Sequence, residues 1–457
     1  MDNKLTKKTK FSFGIGAIGK DMVYMIVSAF LLYYYNTVLG ISATFIGVVF
    51  MAARIFDAFN DPIMGIIVEK TNTKMGKFRP WILTGTILNA FVLYAMFNVP
   101  ESLHGKGLLI YASLAYVLWG VTYTIMDIPY WSMIPAITDN AKDREDVSVI
   151  ARMFAGFGSA IPTVLTTIIV PILGKGNERA GYGRFALLIA IIFVIAIIIT
   201  VLNVKETAKV SNKTNSVKDM VSALVRNDQA LIVVVAIIVF NASLYLTQQL
   251  ALYFFKFDIG HENYYSIFAA VGGAIQLIAM STFTVLRKKF SRIQIFTGAV
   301  ASSFFVYMCM FLLSCIGITH IVALLIAAAF IFFGFGLVTV LTTIFLSDTV
   351  DYGEYKNGRR DESVVFSLQT FVVKLASAIS GLIAGVGIDI IGFDKDATVQ
   401  STATLFGLRC IMLIIPLAGI LITMLYFRAK YKLTEQRVEE IKEQLKEQTV
   451  EELKEQR

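Results

Sequence analysis

Charged residues are scarce in this chain of 457 residues: Asp, Glu, Lys and Arg make up only 16% of it, against about 25% in an average soluble domain. Apolar residues make up 56%, with 35 Phe and 19 Tyr. Too few polar side chains remain to cover a soluble fold of this size. The net charge of +8 does not indicate a nucleic-acid partner, because the basic residues fall between apolar runs and in the C-terminal tail. The composition predicts a protein that lies mostly in lipid.

Cysteine and histidine are also few, with three of each. The cysteines lie inside apolar runs, which argues against a disulfide framework or a thiolate metal site. No histidine has a second histidine three or four residues away, so no zinc motif forms on one helix. We therefore expect no metal centre of this kind and no cofactor.

Long apolar runs are what the chain has in abundance. A membrane-spanning helix needs about 20 mostly apolar residues, and twelve segments meet that requirement. They are 12–36, 41–68, 81–98, 107–136, 153–173, 185–203, 230–255, 264–286, 293–317, 321–348, 364–390 and 403–427. The pattern predicts an all-α membrane protein with six-helix bundles at 1–203 and 229–428, a cytoplasmic linker at 204–228 and a charged cytoplasmic tail at 429–457.

Lys and Arg are concentrated in the N-terminus, the central linker and every second connection between the predicted spans. The positive-inside rule then places both termini in the cytoplasm and the protein in the cell membrane. A charged stretch at 143–149, after the fourth span, is similar to one at 360–365, after the tenth. Aligning Arg144 with Arg360 predicts two parallel halves.

Eight ionisable side chains lie inside or at the start of the predicted spans, where a charge near the bilayer centre costs about 2.5–3.5 kcal/mol. Residues of this kind usually face a cavity and a partner. They are Lys20, Asp21, Arg54, Asp57, Asp61, Asp127, Arg152 and Lys374. Four are acidic and four are basic, so the set can neutralise itself around one binding site.

The second span carries three of these charges on nearly one face, because Arg54 precedes Asp57 by three residues and Asp61 follows it by four. The two carboxylates repel each other, so a cation joins them or one keeps a proton. Asn60 and, from another helix, Thr124 add oxygens that a small hard cation prefers. We predict a Na⁺ site at these four acceptor residues.

The fourth span places a carboxylate beside an aromatic ring. Asp127 and Trp131 are four residues apart and share a helix face, while Pro129 between them frees a backbone carbonyl and bends the helix. A flat indole next to a hydrogen-bonding carboxylate is a common arrangement for holding a sugar. We predict a sugar site here.

Both interpretations have structural alternatives. The charges of the second span are also typical of helix–helix ion pairs, in which Arg54 neutralises one aspartate and Lys374 the other. Trp131 is also compatible with the aromatic belt at a membrane interface.

The glycines at positions 14, 16 and 19 spell G-x-G-x-x-G, but no strand precedes them and they lie in a predicted span. The pattern therefore indicates close helix packing instead of a dinucleotide fold. The paired carboxylates lack an accompanying nucleophile and base, so we expect no enzyme.

Six stretches resemble the melibiose-permease branch of the glycoside-pentoside-hexuronide cation symporters, over nearly the whole chain. They are FGIGAIGKD (13–21), ARIFDAFNDPIMG (53–65), GKFRPW (76–81), TIMDIPYW (124–131), DTVDYGEY (348–355) and SLQTFVVK (367–374). The resemblance implies a twelve-helix major facilitator fold with two pseudo-symmetric bundles. It also implies inward symport of a galactoside such as melibiose with Na⁺, Li⁺ or H⁺, by alternating access and without an enzyme cofactor.

Position by position, the resemblance implies two ligand sites. The cation site consists of Asp57, Asn60, Asp61 and Thr124. The sugar site or its border consists of Lys20, Asp21, Tyr123, Asp127, Trp131, Arg152, Gln369, Thr370 and Lys374. The implied partners are a glycoside, a monovalent cation and the lipid bilayer, for a carrier that we expect to be monomeric.

One position departs from the family pattern. Thr339 stands about where melibiose permeases have a second sugar-facing tryptophan, which leaves the exact glycoside open. Another glycoside, a pentoside, a glucuronide or a lysolipid is the alternative substrate, and a non-transporting sugar sensor is the alternative function.

Overall fold

The computed structural model describes residues 5–138, 140–206, 222, 225–317, 320–358, 362–395, 397 and 399–455. No strand occurs within these ranges. The first half contains α1 (Lys7–Tyr33), α2 (Ala43–Glu69), α3 (Arg79–Phe97), α4 (Gly105–Ser132), α5 (Ile134–Ile137), α6 (Ala141–Gly174) and α7 (Glu178–Asn203). The second contains α8 (Asp228–Tyr253), α9 (Asn263–Leu286), α10 (Arg292–Cys315), α11 (Ile321–Asn357), α12 (Glu362–Ile390), α13 (Thr402–Arg409), α14 (Ile415–Lys430) and α15 (Glu435–Glu455).

Twelve helical segments in the described ranges are long and apolar enough to cross a membrane, as predicted. Their outward faces keep large apolar side chains exposed: Phe91 by 70%, Ile172 by 69% and Leu202 by 68%. Such faces suit lipid and not water. The fold is therefore that of an all-α, multi-pass membrane protein.

Contacts group the chain into two compact units. The first contains residues 1–214, 255–270 and 381–400, and the second contains 215–254, 271–380 and 401–457. Two short stretches from the second half of the chain thus belong to the first unit. The domain boundaries drawn from the sequence, at 203, 228 and 428, stay a prediction.

Several helices begin at a side chain that suits a helix start. Ser42, Asn177 and Asn227 each accept a hydrogen bond from the backbone N–H three residues on. Ser291 does the same and forms a reciprocal capping box with Gln294. These side chains satisfy N–H groups that the first helical turn leaves without partners.

The glycine pattern of α1 serves helix packing, as predicted. A Cβ on Gly14 would lie 3.0 Å from Ile150 of α6, and one on Gly19 would lie 2.9 Å from Ala196 of α7. A side chain at either position would push α1 away from its neighbours.

The same kind of turn occurs twice in the structure. Its two copies begin 220 residues apart, at Tyr34 and at Phe254. The segments LYYYNTVLG (32–40) and LYFFKFDIG (252–260) each end a spanning helix in a π-helical turn, at Tyr34–Val38 and Phe254–Asp258. Gly40 and Gly260 then adopt positive φ angles of 74° and 78°, which glycine adopts without strain. The matching turns support an internal repeat. The repeat predicted from the sequence falls partly on residues 360 and 361, which lie outside the described residues.

The C-terminal tail forms α15, an amphipathic helix whose Val438 and Ile441 are buried. Glu435 accepts a hydrogen bond from the backbone N–H of Arg292 at 2.7 Å and pairs with Arg287 at 2.7 Å. Partial burial opposes ionisation of Glu435, but these donors hold its pKa below the usual value. The tail is thus anchored to the second unit by charge and by apolar contacts.

Candidate functional site

A buried ammonium group joins α1 to α4 in the first unit. Lys20 Nζ lies 2.7 Å from Asp127 Oδ1 and 3.1 Å from Asp21 Oδ2. Lys20 is only 3% exposed, so this charge depends on the two carboxylates for compensation. Three predicted sugar-site residues therefore meet in one cluster.

The two carboxylates of this cluster keep capacity for further hydrogen bonds. Asp21 Oδ2 and Asp127 Oδ1 are buried and face the Lys20 ammonium, and no second donor reaches either oxygen among the described residues. One ammonium group shared by two acids cannot fill all of their lone pairs. Ligand hydroxyl groups are donors that can fill the lone pairs left after the pairing with Lys20.

Trp131 lies beside this cluster. The Lys20 ammonium is 4.9 Å from the centre of the indole ring, and the Arg152 guanidinium of α6 is 4.8 Å from it. Both distances are within the range of cation–π attraction. The ring is thus engaged by two of the predicted sugar-site residues.

The charges of α2 form a second cluster. Arg54 Nη1 lies 3.1 Å from Asp57 Oδ2, and both residues are buried. On this point the geometry agrees with the ion-pair alternative for Arg54. The other oxygen, Asp57 Oδ1, faces α4 at Gly120, where a Cβ would lie 3.1 Å away. The glycine therefore lets the carboxylate approach α4 closely.

The remaining predicted cation ligands are Asn60 and Asp61 of α2 and Thr124 of α4. Thr124 of α4 donates a hydrogen bond to Asp61 Oδ1 at 3.0 Å, which joins α2 to α4. Asn60 Nδ2 is buried and has no acceptor among the residues described. Turning the amide over would place its carbonyl oxygen there instead. Carboxylate, hydroxyl and amide oxygens are the donor types that fit a small hard cation.

Three aromatic rings link the two clusters, and we call Tyr24, Trp119 and Tyr123 the aromatic bridge. The Arg54 guanidinium lies 5.6 Å from the Trp119 ring and 5.9 Å from the Tyr24 ring. The Tyr123 ring is 5.5 Å from that of Trp119 and 5.7 Å from that of Tyr24.

At its other end, the aromatic bridge reaches the sugar cluster, because Lys20 Nζ lies 3.4 Å from the Tyr123 hydroxyl group. Sequence reasoning identified Tyr123 and missed Tyr24 and Trp119. Tyr24 had no signal in the sequence. Trp119 lies four residues before Tyr123 on one helix, but ordinary packing also produces that spacing.

The predicted site residues of the second unit are placed less fully. Lys374 is half-buried in α12. Gln369 and Thr370 belong to the same helix, but their side chains lie outside the described residues. Thr339 of α11 is half-buried and donates a hydrogen bond to the Phe335 carbonyl at 2.9 Å. The part of these residues in a sugar site stays a prediction.

Twelve apolar spans, some of which carry buried charged side chains, are typical of a membrane transporter. In agreement with this, residues 12–435 match the family model described as MFS/sugar transport protein. The chain belongs to that family of major facilitator transporters, and it is a transporter, not an enzyme.

Named relatives extend along nearly the whole chain. A putative glycoside/cation symporter of Escherichia coli (strain K12), YagG, is 29% identical over 96% of this chain and 95% of its own. The raffinose carrier protein of Pediococcus pentosaceus is 28% identical over 94% of this chain and 70% of its own. Among solved structures, the nucleoside transporter NupG (D323A mutant) is similar in fold, with a TM-score of 0.69 at 13% identity, over 93% of this chain and all of that one.

Proposed function

We propose that this chain is a sugar–cation symporter that carries a galactoside such as melibiose into the cell together with Na⁺. The observation that carries the proposal is the pair of charged clusters in the first unit, which share α4 and are linked by the aromatic bridge. The names of the relatives support the same class, since one is a putative glycoside/cation symporter and another a raffinose carrier.

The cation is a co-substrate in this proposal. Asp57, Asn60, Asp61 and Thr124 would bind it through oxygen atoms, and its charge would offset the repulsion between the two carboxylates. Na⁺ suits this donor set, while Li⁺ and H⁺ are the alternatives, the proton by neutralising one carboxylate.

The sugar would bind at the Lys20 cluster. Asp21 and Asp127 would accept hydrogen bonds from its hydroxyl groups, and its C–H face would pack on Trp131. Tyr123 and Arg152 would border it, and a part for Gln369, Thr370 and Lys374 rests on the sequence resemblance. No further cofactor is needed, because the chemistry is binding and release.

Transport would follow alternating access between two states of the carrier. The distribution of Lys and Arg predicts that both termini lie in the cytoplasm. α1 would then begin on the cytoplasmic side and end on the outer side, so uptake would run from the outer side to the cytoplasm. We expect the working carrier to be a monomer in the cell membrane.

Counterflow in proteoliposomes tests the proposal. Vesicles loaded with unlabelled melibiose should take up labelled melibiose in Na⁺ buffer, and Asp127→Asn should abolish this uptake. Competition by raffinose, lactose, a xyloside and a glucuronide, in Na⁺ and in Na⁺-free buffer, then ranks the substrates. Absence of counterflow with every sugar in either buffer would contradict carrier function and favour a sensor.

A further inference from the structure

A carboxylate from late in the chain caps the start of α2. Asp389 lies at the end of α12, and both it and the start of α2 belong to the first unit. Asp389 Oδ2 accepts hydrogen bonds from the Ser42 hydroxyl group at 2.6 Å and from Thr44 N at 2.8 Å. Asp389 Oδ1 accepts one from Ala43 N at 3.2 Å.

These contacts satisfy most of the free N–H groups of the first turn of α2. Ala43 and Thr44 donate to Asp389, and Phe45 donates to the Ser42 hydroxyl group at 3.3 Å. A negative charge at this position also interacts favourably with the helix dipole. The carboxylate therefore stabilises α2 only while α12 lies against it.

Glycines bring the two helices together beside this cap. A Cβ on Gly47 would lie 2.9 Å from the Gly381 carbonyl oxygen, and one on Gly385 would overlap the Ala43 carbonyl oxygen. Ala43 is 0% exposed as a result. We call this contact, formed by Ala43, Gly47, Gly381, Gly385 and Asp389, the α2–α12 seam.

The second copy of the repeated turn leads into a helix whose first turn, among the described residues, uses only local partners. After Gly260, the start of α9 uses local carbonyl groups: Tyr264 N donates to His261 O at 3.1 Å and Tyr265 N to Glu262 O at 3.0 Å. After Gly40, the equivalent position uses Ser42 and Asp389. The added partner ties α2 to α12, which is a function beyond starting a helix.

We propose that Asp389 is a positioning residue for transport, a carboxylate latch that holds the α2–α12 seam closed on the side of the membrane opposite the termini. Opening of that side requires α12 to leave the start of α2, so the hydrogen bonds of Asp389 must break in each cycle. The strength of this latch sets the fraction of time for which the side is open. The proposal needs the seam to open but does not depend on which sugar or cation is carried.

Cysteine labelling tests the latch without any sugar. In a background with Cys309, Cys315 and Cys410 replaced by Ser, Ala43→Cys reports opening, because that residue is fully buried in the closed seam. A membrane-impermeant maleimide should label it slowly. Adding Asp389→Asn, which removes the charge but keeps one acceptor oxygen, should raise the labelling rate by about 2- to 5-fold, the range expected when a favourable charge at a helix N-terminus is lost.

Matched variants keep the test specific. Glu101→Gln, an exposed carboxylate on the same side, should leave the rate unchanged. Asp389→Ala, which removes all three contacts, should give a larger increase than Asp389→Asn, and Asp389→Glu should restore part of the slow rate. An unchanged rate in Asp389→Asn, or an equal increase in Glu101→Gln, would overturn the proposal. Absence of counterflow together with the expected labelling rates would count against the proposed function and not against the latch.

Discussion

The two charged clusters of the first unit compensate their buried charges in different ways. In the Lys20 cluster, one ammonium group is shared by two carboxylates that come from two helices. In the Arg54 cluster, one guanidinium pairs with Asp57 on its own helix, while Asp61 accepts from the hydroxyl group of Thr124. The first arrangement leaves oxygens that can accept from hydroxyl groups, and the second leaves an acidic site that an added positive charge would stabilise.

This difference assigns a ligand to each cluster in the proposed mechanism. A sugar offers many hydroxyl donors and no charge, which suits Asp21 and Asp127. A cation offers charge and no donors, which suits Asp57 and Asp61. The aromatic bridge lies between them, so the occupancy of one cluster can influence the geometry of the other.

The largest expected effect comes from removing the shared ammonium group. Lys20→Met leaves Asp21 and Asp127 without their common counter-charge, and breaking a buried ion pair costs about 3–5 kcal/mol. We expect melibiose affinity to fall by more than about 100-fold, measured by isothermal titration calorimetry. Lys106→Met, at an exposed lysine of α4, should have no effect. Affinity within threefold of the parent in Lys20→Met would show that the Lys20 ammonium does not support the sugar site.

The second effect separates the two clusters. Asp21→Ala should lose sugar binding outright, because it removes a hydroxyl acceptor. Asp57→Cys should abolish cation-driven uptake and leave some sugar binding, because it changes only the other cluster. Binding by calorimetry and uptake in vesicles measure the two functions separately. If both variants lose both functions equally, the two clusters form one site and the assignment is wrong.

A moderate effect is expected at the indole ring. Trp131→Leu removes the stacking face and its contacts with Lys20 and Arg152, which are worth about 0.5–2 kcal/mol. Sugar affinity should fall by about 2- to 30-fold, while Trp131→Phe should keep most of it. The affinity for Na⁺, measured without sugar, should not change in either variant. A ring at a membrane interface would instead give no change in sugar affinity.

The smallest effect is expected at the hydroxyl group that joins α4 to Asp61. Thr124→Val removes one oxygen and one hydrogen bond of about 1 kcal/mol, so Na⁺ affinity should fall by about fivefold. Sugar affinity in saturating Na⁺ should be unchanged. Ser113→Ala removes a hydroxyl group elsewhere on α4, which donates only within its own helix, and serves as the control. Equal losses of Na⁺ affinity in the two variants would show that the Thr124 hydroxyl group affects only the stability of α4 and does not bind the cation.

Much of this arrangement could be predicted from local spacing. Runs of apolar residues predicted the twelve spans, and spacings of three and four residues predicted that Arg54, Asp57 and Asp61 share a face. The pairing of Lys20 with Asp127 and the contact of Thr124 with Asp61 depend on which helices pack together. The resemblance anticipated that these residues belong to two sites, but residue spacing alone could not.

Other features had no distinctive sequence signal. Arg54 could pair with either aspartate, and the close approach of Asp57 to α4 depends on a glycine in a different helix, Gly120. Tyr24 and Trp119 are ordinary aromatic residues in apolar runs, so nothing local marks them as the link between two clusters. The cap at the start of α2 comes from Asp389, 347 residues after Ser42, a distance over which residue spacing carries no information.

The central claim is that the two clusters are coupled, and calorimetry of the unmodified protein tests it most directly. Melibiose should be titrated in Na⁺ buffer and in choline buffer of equal ionic strength, and Na⁺ with and without melibiose. Coupling between two ligands is typically about 1–3 kcal/mol and must be reciprocal, so each ligand should tighten the other by the same factor, about 5- to 150-fold. Identical affinities in the two buffers would contradict the account.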